Sequence, residues 1–324
     1  MLFRSSLLTL LAVALLPACS TEDQPPASTT GYSVAEVPLH QISDDLAAGR
    51  TTSAIVTGGY IARITAMDGE LNSVIAIAPD ALQQAAASDA RRAAGEELGP
   101  LDGVPILLKD NLDALGMPTT AGSYALADNV PERDSEVTRR LRAAGVVILG
   151  KANLSQFAGF RNTASFNGST VGGSPKNPYD IRRSPAGSSS GSGVATAMSF
   201  AAATIGTETA GSILSPSNAN MLAGIKPTVG RVSRHGVIPI TADQDTPGPM
   251  ARTVEDVLAR RHRMLFLDAT AAEVAEAKAA EITISERRFP IEAPHFVLQY
   301  VQPLLEQIVG RDALFRGGLI VTTS

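Results

Sequence analysis

The sequence predicts an α/β fold, and three observations carry that prediction. Residues 74–78 (VIAIA), 104–108 (VPILL) and 146–149 (VVIL) are short apolar runs with the length of buried strands. Longer stretches between them have helical periodicity, and such alternation builds layered α/β domains. Hydrophobic residues make up 44% and charged residues 18% of the 324, enough to bury the core of one large domain or two average ones.

The elements follow in order. Ser33-Val34-Ala35-Glu36 has capping-box spacing, helical periodicity continues to Leu46, and Gly49 is placed to end that helix. Residues 51–67 read as a second helix, weakened by the Gly58-Gly59 pair. Residues 74–78 form a strand, and the Ala-rich stretch 80–97, charged on one side, a third helix. Residues 104–108 read as a buried strand ending at Lys109-Asp110-Asn111. Residues 136–144 are helical, and 146–149 a strand closed by Gly150. From 162 to 217 the chain is dense in Gly, Ser, Thr and Asn. There PAGSSSGSG (185–193) leads into an apolar small-residue helix over 194–203, followed by IGTETAGSI (205–213). A flexible linker would not carry a buried helix and a Lys226-Pro227-Thr228 turn. A phosphate cradle has only Gly191-x-Gly193 in its favour, without G-x-x-x-x-G-K-[ST].

The N-terminus reads as an address. Arg4 precedes an apolar run over 7–16 and then Pro17-Ala18-Cys19, the pattern of a secretory signal. The run is too short for an ordinary membrane-spanning helix. Leu16-Pro17-Ala18-Cys19 also resembles a bacterial lipoprotein box, in which the cysteine becomes the first mature residue and carries lipid. Cys19 is the sole cysteine of the chain, as suits a thiol used for an anchor. The expectation is an exported, periplasmic protein touching the membrane only through Cys19, with residues 20–32 as a polar tether. A plain signal peptide with an incidental cysteine is the alternative.

Composition narrows the chemistry. With 27 basic and 32 acidic residues the net charge is −5, which offers no footprint for nucleic acid. One cysteine excludes an internal disulfide framework and a Cys-clustered zinc site. The four histidines, His40, His235, His262 and His295, lie outside the Gly/Ser-rich turns and are not paired with a carboxylate at ligand spacing. A Ser-His-Asp triad is therefore poorly supported, which leaves lysine as the base for a serine. Lysine must lose its proton to act so, and burial lowers its ordinary pKa of about 10.4. Lys109, at the end of an apolar strand, is placed where desolvation acts; a surface lysine is the alternative.

GVPILLKDN (103–111), the serine-rich block 187–193 and GTETAGSI (206–213) resemble the amidase signature family. MPTTAGS (117–123), GKANLSQF (150–157), GIKPTVGRVSRHGVIP (224–239) and QDTPGPMARTVEDV (244–257) extend the likeness in the family's order. It spans about residues 33–257, and the wording is nearest the peptide-amidase and general-amidase branch. The resemblance implies a mixed β-sheet covered by helices on both faces. It implies Ser212 as nucleophile, Ser188 as bridging serine on a cis non-proline peptide, and Lys109 as base. It places an oxyanion hole on the backbone N–H groups of Thr209, Ala210, Gly211 and Ser212. Asp110, Ser189 and Thr207 become candidates for supporting roles; turn hydrogen bonding is the alternative for Ser189 and for Ser190. The implied reaction hydrolyses a small-molecule or peptide amide to acid and ammonia or amine through an acyl-enzyme, with no metal and no cofactor.

Two departures qualify the likeness. Ala210 stands where the family more often has Asp or Gly, and Leu214-Ser215-Pro216 where it often has Arg or an apolar residue before its proline. Family members also continue well beyond the equivalent of Val257. Residues 258–324 instead resemble a linker of bifunctional penicillin-binding proteins, without the S-x-x-K signature. The expectation is an amidase domain truncated on its C-terminal side and joined to an unrelated fragment, with an unpaired sheet edge and uncovered apolar surface. A divergent amidase C-terminus is the alternative. The rival functions are an inactive remnant that keeps the motifs, and a component of a glutamine amidotransferase, against which the export signal argues.

Overall fold

The structure, a computed structural model, describes residues 31–160, 168–241 and 243–257, with the backbone of 319–321. The expected signal, Cys19, most of the expected 20–32 tether and most of the 258–324 segment lie outside the described residues.

Helix α1 (Leu39–Ala47) buries Leu39, Ile42 and Leu46. The expected capping box at Ser33 does not form. Glu36 is left-handed at φ 59° and Pro38 occupies the N-cap position without a side-chain bond. The cap comes from far away in sequence. Asp256, in the one-turn helix α7 (Val254–Val257), accepts from Leu39 N at 3.2 Å, His40 N at 3.0 Å and His40 Nδ1 at 2.8 Å. Helix α2 (Ser53–Met67) runs through Gly58-Gly59 unbroken, because Val34 packs against the bare face of Gly59. Its first N–H groups are held by Asp89 of α3 (Ala81–Ala93) at 2.7 and 2.9 Å and by Thr52 Oγ1 at 3.2 Å.

The strands are β1 (Val74–Ile77), β2 (Pro105–Lys109), β3 (Val147–Ala152), β4 (Ala203–Glu208), β5 (Ala223–Lys226), β6 (Thr246–Ala251) and β7 (Leu319–Val321). Helix α4 (Glu136–Ala143) precedes β3, α5 (Ser190–Ala197) precedes β4, and α6 (Leu214–Ala219) precedes β5. Two expectations are corrected. β3 does not close at Gly150; the glycine pairs with Ile77 on one side and Leu107 on the other, and this pairing carries the strand to Ala152. The helix expected over 194–203 starts at Ser190 and ends at Ala197, and Ala203 already belongs to β4. β6 is a strand that its own residues conceal. Pro247 and Pro249 argue against one, yet it sits between β4 and β5.

The sheet order is β1-β3-β2-β4-β6-β5-β7. β3, β2 and β4 are mutually parallel and the remaining pairings antiparallel, which makes the sheet mixed. Every residue of β2, β3, β4 and β6 is buried, so helices and loops cover both faces. An unpaired sheet edge is expected of a truncated domain; β5 is paired on its outer side, where Gly224, Ile225 and Lys226 face Val321, Ile320 and Leu319. Backbone from the 258–324 segment thus satisfies that edge.

Parallel pairing brings the C-terminal ends of β2 and β4 side by side, Leu108 opposite Ile205. Crevices at such ends are where open α/β sheets bind ligands. Asp256→Ala removes the remote cap of α1 and should lower unfolding free energy by about 1–2 kcal/mol, read from the urea midpoint. An unchanged midpoint would show that water serves the α1 N-terminus equally well.

Candidate active site

Lys109 closes β2 and has no solvent exposure. Its Nζ lies 2.8 Å from Ser188 Oγ, 2.9 Å from Thr207 Oγ1 and 3.1 Å from Thr207 O. Burial pushes its pKa down to about 7, against the opposing pull of the Asp245 and Glu208 carboxylates. A neutral amine has two N–H donors and one lone pair. The carbonyl of Thr207 can only accept, and its hydroxyl already accepts from Asn111 Nδ2 at 3.1 Å. With both donors of the neutral amine on Thr207, the lone pair is left facing the Ser188 hydroxyl.

Ser188 follows a cis Gly187–Ser188 peptide, and its carbonyl accepts from Ser155 N at 2.9 Å. Ser189 is fully buried. Its Oγ donates to Thr207 O at 3.1 Å and accepts from Thr207 N at 3.3 Å, while its N–H donates to Ser212 O at 3.1 Å. Ser189 therefore ties the turn before α5 to both β4 and the Ser212 loop. The helix can start here only because residue 191 is glycine. A Cβ there would come within 2.4–2.6 Å of backbone atoms of Ser73 and Asn153.

The Ser212 loop is pinned by a carboxylate. Glu208, the last residue of β4, is 3% exposed. Its Oε1 accepts from Gly211 N at 2.8 Å, and its Oε2 from Ile213 N at 2.7 Å and Leu214 N at 2.9 Å. Gly211 turns at φ 88°, a left-handed conformation that disfavours a side chain. Because Glu208 takes the Gly211 N–H, this expected oxyanion donor is already engaged. Ser212 itself is 8% exposed at the mouth of the loop.

The structure sorts the remaining expected residues. Thr207 and Ser189 touch the Lys109–Ser188 pair or its partners directly. Asp110 does not: it pairs with buried Lys151 at 2.9 Å and accepts from Thr120 N at 3.2 Å and from the Thr120 hydroxyl. Lys151, its pKa lowered by burial, also donates to Pro118 O and Thr119 Oγ1, both at 3.1 Å. Asp110 thus braces the 117–123 loop instead of the reacting groups. Sequence reasoning assigned no role to Asn111, Lys151, Glu208, Lys226 or Asp245. For Lys226 a signal was present: AGIK repeats the pattern of PILLK, an apolar strand ending in lysine.

The amidase family model matches residues 56–285, more than two thirds of the chain. The chain belongs to the amidase family. A probable amidase of Arabidopsis thaliana is 43% identical over 256 residues, covering 78% of this chain and 50% of the relative. A component of the glutamyl-tRNA(Gln) amidotransferase of Salinispora arenicola is 45% identical over 212 residues, 65% of this chain and 42% of the relative. The native peptide amidase of Stenotrophomonas maltophilia superposes with a TM-score of 0.69 at 40% identity, over 90% of this chain and 62% of that one. The amidase described here thus spans about half the length of the curated relatives it matches. The family match also runs past Val257, and the likeness of residues 259–324 to a penicillin-binding protein linker is not borne out. Its mixed, doubly covered sheet is the amidase-signature fold.

Glu208→Ala in this amidase leaves three N–H groups of the Ser212 loop without their carboxylate. It should cost on the order of 3 kcal/mol in a denaturant titration. A loss below about 1 kcal/mol would show that water replaces the carboxylate.

Proposed function

We propose that this amidase cleaves a carboxylic or peptide amide to acid and ammonia or amine, with Ser212 as nucleophile, Ser188 as proton bridge and Lys109 as base. The observation that carries this reading is the 2.8 Å contact of Lys109 Nζ with Ser188 Oγ, in surroundings that lower the lysine pKa to about 7. Lys109 takes the Ser188 proton as Ser188 takes that of Ser212, and the Ser212 oxygen attacks the amide carbonyl. Charge on the tetrahedral oxygen meets the N–H groups of Thr209, Ala210 and Ser212, where one donor is typically worth about 2.7–4 kcal/mol. The relayed proton returns to the leaving nitrogen, the C–N bond breaks, and water hydrolyses the Ser212 ester.

A peptide amide is the preferred substrate class, supported by the likeness to the Stenotrophomonas peptide amidase. A second reading, ammonia release from glutamine in an amidotransferase, is favoured by the 45% identity to the Salinispora amidotransferase component. We further propose export and anchoring through a lipidated Cys19, supported by the apolar run over 7–16 and the LPAC box.

The full chain treated with a serine-directed fluorophosphonate should label, and Ser212→Ala and Lys109→Ala should abolish labelling. The neutral fraction of Lys109 grows as pH rises through its pKa. The labelling rate should therefore climb about tenfold per unit below pH 7 and level off above it. Ammonia release from a C-terminal peptide amide but not from glutamine selects the first substrate reading, and the reverse selects the second. A folded, soluble, unlabelled chain would overturn the enzyme reading in favour of an inactive remnant. For the anchor, Cys19→Ser should move the protein from the membrane pellet to the soluble fraction of a bacterial host; an unchanged distribution would refute lipidation.

A further inference from the structure

Two charged side chains converge on Thr209, and neither reaches the reacting atoms. Lys226, the last residue of β5, donates from Nζ to the Thr209 carbonyl at 2.5 Å. The Thr209 hydroxyl donates to Asp245 Oδ1. Asp245, 6% exposed just before β6, accepts on its other oxygen from Ile240 N at 2.7 Å and Thr241 N at 3.1 Å. Cation and anion thus grip one residue from two sides. The peptide unit that the cation touches is the one whose N–H belongs to Ala210.

Resting on the function proposed above, we propose that Lys226 is a positioning residue of the reaction: through the Thr209 carbonyl it fixes and polarises the Thr209–Ala210 peptide, so that the Ala210 N–H is preset as a strengthened oxyanion donor. An amide whose oxygen accepts from a cation draws density toward that oxygen, and its N–H becomes a better donor. The plane of this peptide cannot rotate without breaking the Lys226 bond. Thr209 itself cannot shift without breaking its bond to Asp245, which the 240–241 backbone holds in turn. A preset dipole acts on the transition state without reorganising, which is where such donors count most. The arrangement also accounts for Ala210, which departs from the family's usual Asp or Gly. In this clamp residue 210 contributes only its backbone, and orientation comes from β5 and β6.

The test is the concentration dependence of fluorophosphonate labelling on the full chain, which separates the maximal rate constant from the half-saturating probe concentration. Lys226→Met should lower the maximal rate constant about tenfold and leave the half-saturating concentration within about twofold. That pattern marks an interaction made only as charge develops on the oxygen. Lys226→Arg, which keeps a cationic donor, should recover most of the loss. A Lys226→Met rate equal to wild type overturns the proposal. So does a loss confined to the half-saturating concentration, or one that Lys226→Arg does not recover. Urea midpoints for both variants identify any loss that comes from unfolding, and a lower midpoint with unaltered labelling of the folded fraction assigns Lys226 a structural role alone and overturns the proposal. A wild type that the probe does not label overturns the clamp together with the function it serves.

Discussion

A lysine with no contact to water has to be held at the end of β2 without a paired carboxylate on its amine. Lys151, one strand away, has such a partner in Asp110 at 2.9 Å. Lys109 instead meets a serine hydroxyl, a threonine hydroxyl and a carbonyl. Its carboxylates, Asp245 and Glu208, are engaged with backbone and with Thr209, close enough to oppose the desolvation but not to cancel it. The neutral form is thereby kept within reach at pH 7, at the seam where β2 and β4 run parallel. The turn before α5 must then deliver Ser188 to that point, and α5 can begin there because Gly191 admits the backbone of Ser73 and Asn153.

One device recurs around this seam: a side-chain carboxylate, remote in sequence for Asp256 and Asp89 and only a few residues away for the others, holds backbone N–H groups of a helix start or turn. Asp256 caps α1, Asp89 caps α2, Glu208 gathers the loop after β4, and Asp245 gathers residues 240–241. Asp68 does the same for Ser73 and Val74 at the entry to β1, with N–H to carboxylate distances of 2.9 Å each. Each such bond exchanges water for a charged acceptor, and removing the acceptor strands a buried donor. The turns that carry Ser212 and Thr209 are therefore as fixed as the sheet, which is what preset donors require.

Legibility followed the range of the interaction. The run at 104–108 was readable as a strand because burial on both faces writes itself as consecutive apolar residues, and the run at 74–78 because it is short and apolar, although β1 is only half-buried at the sheet's edge. Lys109 was readable as a base candidate because its strand is apolar up to the lysine and the histidines were badly placed. β6 was not readable, since Pro247 and Pro249 oppose a strand unless β4 and β5 already flank it. Nor was the end of β3, where pairing on both sides carries the strand through Gly150. The Ser33–Glu36 spacing suggested a local cap, but the chain turns at Glu36 and the cap comes from Asp256.

By itself the sequence determined the alternation of strands and helices as far as β3, the family, and the residues able to supply a nucleophile and a base, because these follow from burial periodicity, motif and residue type. Only the tertiary structure decided which of these groups meet. It turned Asp110 toward Lys151, placed the Gly211 N–H on Glu208, paired the β5 edge with residues 319–321, and drew Lys226 and Asp245 onto Thr209. Each of these contacts joins different structural elements or turns on how a loop folds, so no local pattern records it.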